Sequence, residues 1–597
     1  MEEVETNKDN RIWIFWIPAF FVIALGILAY SNSFHASFQG DDYFFIVENK
    51  DVHHFDMITL FQKFASRITV FLLFCLNYRF GELNVFGYHL INLTIHIINA
   101  LIVLALVQQL FQTPVLKDKQ YLYGENTPFI FSSLTAIIFV THPIQTQAVT
   151  YIWQRCSSMV ALFYLLAMYF FLKSEIKLEK ATEKYYLYYR IIAISCGVLA
   201  NFTKQNAFTL PVAVVFMFWF FFPWKEYKIT YLIKMISPWI SLLLIIPIIT
   251  LYFGSQELND IRLAFGQSPK LTPYEYFCTQ LHIIPNYMLL ILFPFNQKLD
   301  YDFARITSLW HIDTFLLLII HIAIVILAIH YRKKNPLVSL GYIFFYLTLA
   351  IESSFIPLMD VIFEHRLYLP MLGFIIATLW LIIPFNRLPL KKTIGMKNKL
   401  LVLVVISLVC SPLVYATYQR NTVWETPFSL WLDNVQKTPN LTRAQFMLGL
   451  EYQKRKDFEK ALYHFERANH LGFKGYEALL QMGICLGNLG KFDKSIAILE
   501  SLKNQGHTQH QISAALAISY ANIGNFAKAI SLFRSAAELT DKNEEYLFGL
   551  AKAYCDNGQF NESIEIYQHL LKAYPISNEK RVMIAKEFAE KLSRPDL

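Results

Sequence analysis

Long apolar runs separated by short polar ones fill the chain up to about Tyr418. Stretches near Ile12–Tyr30, Phe86–Phe111, Phe129–Val140, Ser157–Leu172, Ile191–Ala200 and Ala207–Phe222 fit the bilayer, several of them only with their flanks. More follow near Tyr231–Phe253, Trp310–His330, Leu337–Pro357, Tyr368–Pro384 and Leu400–Tyr418. The yardstick is a hydrocarbon core of about 30 Å. The run Tyr276–Phe293 is interrupted by Pro285 and followed by Pro294, and is read as a re-entrant or surface segment. The pattern predicts an all-α, polytopic membrane domain of about eleven spans over residues 1–420.

Beyond that the pattern changes period. Tyr452, Leu486, Tyr520 and Tyr554 are 34 residues apart, as are Phe458, Phe492, Phe526 and Phe560. Ala461, Ser495, Ala529 and Ser563 keep the same interval, and so do Phe465, Leu499, Phe533 and Tyr567. Small residues where paired helices approach and aromatics where they interlock are the mark of tetratricopeptide repeats. Residues 421–597 are therefore expected to form an α-solenoid of a half repeat and four full repeats, whose concave face takes polypeptide.

Composition agrees with this division. The 597 residues are 55% hydrophobic and only 16% charged, too apolar for a soluble chain of this length. The net charge of +8 is carried by short loops, among them Lys173 and Lys177, Lys225 and Lys228, Arg332-Lys333-Lys334, and Lys397 and Lys399. By the positive-inside rule these loops are cytoplasmic. The N-terminus is then inside, behind a retained signal-anchor span, and the repeats face the periplasm or lumen. No nucleic-acid partner follows from charge placed in this way. Seven cysteines show neither a disulfide framework nor metal-ligand spacing. No phosphate-binding glycine loop, nucleophile elbow or zinc-protease helix occurs.

The same orientation gathers ionisable and polar residues at one membrane face. Asp41 and Asp42 follow the first span. His142, Gln154 and Arg155 lie in one outer loop, and Lys204 in a short turn. Asp300 and Asp302 lie in another loop, and Glu364, His365 and Arg366 in a third. Charges this close to a bilayer are costly unless they serve a water-filled cavity. Carboxylates with cations at a membrane surface fit inverting glycosyl transfer. Asp41 or Asp42 would then be the base, and Arg155, Lys204 and Arg366 would hold the departing phosphate. Each member also has a structural reading. Arg155 and Lys204 fit cations snorkelling from helix ends. His142 before Pro143 fits a helix end bonded to backbone. Glu364-His365-Arg366 fits a buried ion-pair cluster. Asp300 and Asp302 fit a structural role or a divalent cation, without a third ligand to choose between them.

The matching stretches are Gly40-Asp41-Asp42, Phe86-Gly87-Tyr88-His89-Leu90-Ile91-Asn92, Thr141-His142-Pro143 through Gln154-Arg155, Leu299-Asp300-Tyr301-Asp302 and Glu364-His365-Arg366-Leu367-Tyr368-Leu369-Pro370. Together with the repeats, they resemble the membrane O-mannosyltransferases that carry tetratricopeptide repeats, within the GT-C glycosyltransferase class. The resemblance implies a polyprenyl-phosphate-linked sugar donor, mannose by relation, and transfer to Ser or Thr hydroxyls of proteins outside the cytoplasm. The repeats would recruit the acceptor polypeptide. It makes Asp41 and Asp42 the catalytic pair and places Arg67 with the other polar loop residues around donor and acceptor; no metal site is indicated, with a divalent metal as the open alternative. One departure is Gln205, where an acidic residue would be expected beside Lys204; it argues against an ion pair at that turn. The expected membrane is a bacterial inner membrane, with an endoplasmic reticulum as the alternative. The competing readings are a non-catalytic anchor that displays the repeats for envelope assembly, and a GT-C enzyme acting on a lipid or glycan.

Overall fold

The computed structural model describes residues 2–119, 123–179, 183–253, 271–384, 395–473, 475–540 and 543–573. Every regular element among them is helical. The chain divides into two compact units, Met1–Leu430 and Trp431–Leu597.

Among the described residues of the first unit, six helices are long and apolar enough to cross a membrane: Met57–Gly81, Val85–Leu110, Ile152–Glu179, Ile229–Phe253, Ile312–Lys333 and Met396–Val423. A seventh is added if Thr127–Thr141 and Pro143–Val149, bent by 49°, count as one broken span. The bend falls at His142-Pro143, because proline has no N–H to give the preceding turn and keeps the residue before it extended; His142 has φ −76° and ψ 128°. Eleven spans are expected from the sequence; six or seven helices among the described residues reach the length and apolarity of a full crossing. Gln205–Phe221, Pro336–Leu349 and Pro370–Ile382 are apolar but shorter. Met57–Gly81 was not anticipated as a span, and Pro273–Leu292 forms one helix straight through Pro285.

Burial sorts centre from periphery. Two thirds of the apolar window of Ile152–Glu179 is buried (67%), against 17% for Ile312–Lys333, so the former is a central helix and the latter a peripheral one. The second central helix, Val85–Leu110, carries a polar stripe of His89, Asn92, His96 and Asn99 at helical spacing, all buried. Each member finds a partner on another element. Asn92 Nδ2 donates to Val149 O (3.0 Å), His96 meets Tyr368 OH (2.8 Å) and Val140 O (3.1 Å), and Asn99 Nδ2 donates to Ser158 O (2.8 Å). Such bonds between helices supply specificity where lipid and side chains are equally apolar. At Gly341 and Gly373 two helices touch backbone to backbone. A Cβ on Gly341 would lie 2.4 Å from the Gly373 carbonyl.

The second unit is a run of paired helices: Thr442–Lys454 with Phe458–His470, Glu477–Asn488 with Phe492–Asn504, His510–Asn522 with Phe526–Glu538, and Glu544–Asp556 with Phe560–Ala573. Residues 574–597 lie outside the described part. The recurring helix stop after the tyrosine or leucine column has a backbone cause. The carbonyls of Tyr452, Leu486, Tyr520 and Tyr554 accept the N–H of Asp457, Lys491, Asn525 and Gln559 at 2.9–3.0 Å. This is the long bond of a Schellman stop. It requires a left-handed residue just before the donor, and Gly490, Gly524 and Gly558 supply it at φ +73° to +80°. In the first repeat Lys456 takes that conformation at φ +61°.

Candidate active site

Gly40 (φ +42°) turns the chain so that Asp41 and Asp42 open a short helical segment just beyond the first helix. The two carboxylates then part company. Asp42 is fully buried, and both its oxygens are taken by backbone: Oδ2 accepts from Gln39 N (2.8 Å) and Oδ1 from Trp153 N (2.7 Å). Burial pushes its carboxyl well above the usual range, the two backbone donors pull the other way, and the Asp41 charge adds to the upward push. Asp41 is only half-buried. Its N–H donates to Tyr151 OH (2.8 Å), and the Tyr151 hydroxyl also hydrogen-bonds the Asp41 carboxyl. Tyr151 and Trp153 thus anchor the loop to one stretch through Asp41 and Asp42 respectively, and Asp41 keeps the greater exposure.

The segment from Tyr151 to Ser157 joins this loop to a second cluster. Trp153 N holds Asp42, and one helical turn later Ser157 Oγ accepts from Lys204 Nζ (3.1 Å). Ser157 in turn donates to Gln154 Oε1 (3.2 Å). One turn spans about 6 Å along the axis, so both ends of the cluster hang on the same short stretch. The Arg67 guanidinium lies 5.3 Å from the Trp153 ring and is part-exposed. Lys204 is ion-paired with Glu352 Oε1 at 2.8 Å, while Asn206 donates to Oε2 (2.9 Å). Alone, burial would raise the Glu352 carboxyl; the charges of Lys204 and Arg366 outweigh it and hold the group at about 2. The expectation that Gln205 would leave this turn without an ion pair is therefore corrected, because the carboxylate comes from another element.

Arg155 sits elsewhere. It is fully buried, with Nε on Asn92 Oδ1 (2.6 Å) and its two amino groups on Asn77 Oδ1 (2.8 Å) and the Tyr88 carbonyl (3.0 Å). The ring of Phe74 lies 4.5 Å below its guanidinium. All three nitrogens serve protein partners, so it braces the Tyr151–Ser157 segment against Val85–Leu110 instead of snorkelling or facing a ligand. His142 is likewise occupied: one ring nitrogen meets Ile291 O (2.9 Å) and the other accepts Ile144 N (3.2 Å). That leaves no ring nitrogen for a substrate.

Glu364, His365 and Arg366 do not form one cluster. Glu364 turns to the loop after Pro273–Leu292, where it accepts from Gln297 Nε2 (2.9 Å), Lys298 N (2.7 Å) and Tyr301 OH (2.6 Å). Arg420 lies 4.0 Å away. Arg366 donates to the carbonyls of Asp360 (2.7 Å) and Val361 (3.0 Å) and reaches Tyr276 OH at 3.4 Å. His365 takes its place beside Lys204, Glu352 and Arg366, and burial with the Lys204 charge holds its imidazole well below the usual range, neutral at pH 7. Asp300 is buried and Asp302 exposed, so the pair does not present two carboxylates to one ion. Among the described residues no three His, Cys, Asp or Glu side chains group as metal ligands.

Three contributors were missed from the sequence. Glu352 sits inside the run Leu337–Pro357, which was read as a plain span; a lone carboxylate in such a run is itself a functional signal. Tyr151 lies three residues from the expected Gln154 and carried no charge to draw notice. Gln147, whose Oε1 accepts His365 N (2.8 Å), looked like one polar residue among several in its loop.

The tetratricopeptide-repeat family matches residues 477–505 and 524–577. Protein O-mannosyl-transferase TMTC3 of Mus musculus is 26% identical over 514 residues, and its Homo sapiens counterpart 24% over 518. The chain is a repeat-bearing protein similar to protein O-mannosyltransferases. Each alignment covers 79% of this chain and 53% of the relative, so the chain spans about half the length of the curated relatives it matches. A solved tetratricopeptide-repeat protein of Thermus thermophilus, TTC0263, covers 30% of this chain at 16% identity with a TM-score of 0.25. The apolar helices and these relatives together make this O-mannosyltransferase-like chain a membrane protein.

Proposed function

We propose that this protein is a multi-pass membrane mannosyltransferase that moves mannose from a polyprenyl-phosphate carrier to Ser or Thr hydroxyls of a protein acceptor. Transfer takes place on the non-cytoplasmic side, with the repeats recruiting the acceptor. The observation that carries this reading is the division of labour in the acidic pair: Asp42 is committed to two backbone N–H groups while Asp41 stays half-open beside Tyr151. Similarity to proteins named O-mannosyltransferases over 79% of the chain supports it.

In this scheme the Asp41 carboxylate takes the proton of the acceptor hydroxyl. The hydroxyl oxygen attacks the anomeric carbon from the face opposite the phosphate, and the bond from that carbon to the phosphate oxygen breaks, its electron pair leaving with the phosphate. Asp42 is a positioning residue that fixes the loop. Lys204, which donates to Ser157 Oγ, and Arg67, over the Trp153 ring, supply the positive charge that the departing phosphate needs. Arg155 and Arg366 act through the segments they brace. The carrier lipid is the donor.

Purified protein in nanodiscs, given labelled polyprenyl-phosphate mannose and a Ser/Thr-rich polypeptide, is expected to label the polypeptide. Label entering only a lipid or glycan would reassign the acceptor. No transfer to any acceptor, with the repeats still binding a partner, would favour a scaffold.

A further inference from the structure

Beside the Lys204–Glu352 pair lies a group of buried polar atoms that the transfer scheme leaves unused. Gln147 Nε2, Gln280 Oε1, Ser353 Oγ and His365 Nδ1 have no hydrogen-bond partner among the described residues. Their residues are 1%, 1%, 8% and 8% exposed. Such atoms occur at other places in the chain too; these four are set apart by gathering around one buried ion pair.

Shared contacts place them together. Gln147 is bonded to His365 N (2.8 Å), and His365 lies in the field of Lys204, Glu352 and Arg366. Ser353 follows Glu352 in the chain. Gln280 and Arg366 both donate to the Val361 carbonyl, at 2.8 and 3.0 Å.

The four atoms make unlike demands. The Gln147 amide only donates and the Gln280 carbonyl only accepts. The Ser353 hydroxyl does both, and the neutral His365 ring does either according to tautomer. An apolar ligand would satisfy none of them, and an anion would meet the Gln280 oxygen. A cation would meet Lys204 and Arg366. Hydroxyl groups and water, each both donor and acceptor, satisfy all four, and deoxy forms of the donor tell the two apart. We propose that Gln147, Gln280, Ser353 and His365 form the seat of the donor's sugar ring and set which sugar is transferred. This rests on the glycosyl-transfer reading above and adds to it a ring-recognition site apart from the acidic pair.

The test uses the full chain in nanodiscs with polyprenyl-phosphate mannose and its 2-, 3-, 4- and 6-deoxy forms, measuring donor binding by equilibrium dialysis and transfer by kcat/KM. Gln147→Glu keeps an acceptor for His365 N while removing the orphaned donor; Ser353→Ala is the second variant, with thermal stability as the control for folding. In the wild type at least one deoxy donor should lose roughly ten- to a hundredfold. In Gln147→Glu or Ser353→Ala the intact donor should weaken by a similar factor, and the penalty for one deoxy position should largely vanish. Transfer present, with the same deoxy penalties in wild type and both variants, overturns the seat alone. Transfer absent, with donor binding that both variants weaken, upholds the seat and overturns the transferase reading. A wild type that neither binds nor transfers the donor overturns both.

Discussion

The backbone N–H of Trp153 donates to Asp42 Oδ1 at 2.7 Å, tying the acidic loop after the first helix to the N-terminal turn of a central helix 111 residues away. The bond gives the two neighbouring carboxylates different work. Replacing Asp42 by Ala would leave the N–H groups of Trp153 and Gln39 unpaired in a buried place, at a cost of about 1–3 kcal/mol each. Asp42→Ala is therefore expected to lower the thermal stability of the purified protein, read by fluorescence unfolding, together with any transfer. Unchanged stability would contradict the positioning role.

Lys204 and Glu352 set a stability that depends on acid. The folded protein holds the Glu352 carboxyl at about 2 against an ordinary 4.5, so the contribution is full above 4.5 and is lost as the pH falls toward 2. Glu352→Gln should cost about 3 kcal/mol at pH 7, because it leaves a buried ammonium without its counter-charge. Unfolding curves of wild type and variant should converge as the pH falls through that window. Parallel curves from pH 7 to pH 3 would show that the pair contributes nothing.

Arg155 uses the fork of its guanidinium to join Asn77, Asn92 and the Tyr88 carbonyl. Lysine has charge but no fork. Arg155→Lys is expected to destabilise by about 2–4 kcal/mol and to lower kcat with little change in the donor KM. A raised donor KM at unchanged stability would mean that the guanidinium binds phosphate after all.

In the repeats, Lys456 occupies a left-handed position that glycine fills in the next three units. A side chain there costs roughly 1 kcal/mol. Lys456→Gly should strengthen hydrogen-exchange protection of Thr442–Lys454 and Phe458–His470 in the intact protein. Weaker protection would mean that the lysine side chain contributes more than its backbone costs.

The repeats were legible because their spacing is a local constraint: every 34 residues the same stop and the same helix contact must recur, and Tyr452, Gly490 and Phe526 record it in sequence. Asp41 and Asp42 stood out as charge beside a span. What separates them did not, since it depends on which of the two a distant backbone N–H reaches. Lys204 shows the same limit. Its neighbour Gln205 argued against an ion pair, yet Glu352 closes one through space. Arg155 and His142 were visible as polar residues near a membrane face, but whether they face inward or outward depends on Asn77, Asn92 and Ile291, which no short-range pattern links to them. Fewer helices among the described residues reach full crossing length than the eleven expected, because apolar character extends into helices such as Pro336–Leu349 and Pro370–Ile382 that are shorter than a full span.

The most direct test of the central claim is the rate at which purified wild type and Asp41→Asn pass labelled mannose from polyprenyl-phosphate mannose to a Ser/Thr acceptor, measured beside their unfolding temperatures. Loss of the base should slow transfer by at least about a hundredfold at unchanged stability. Transfer by Asp41→Asn at the wild-type rate would contradict the assignment.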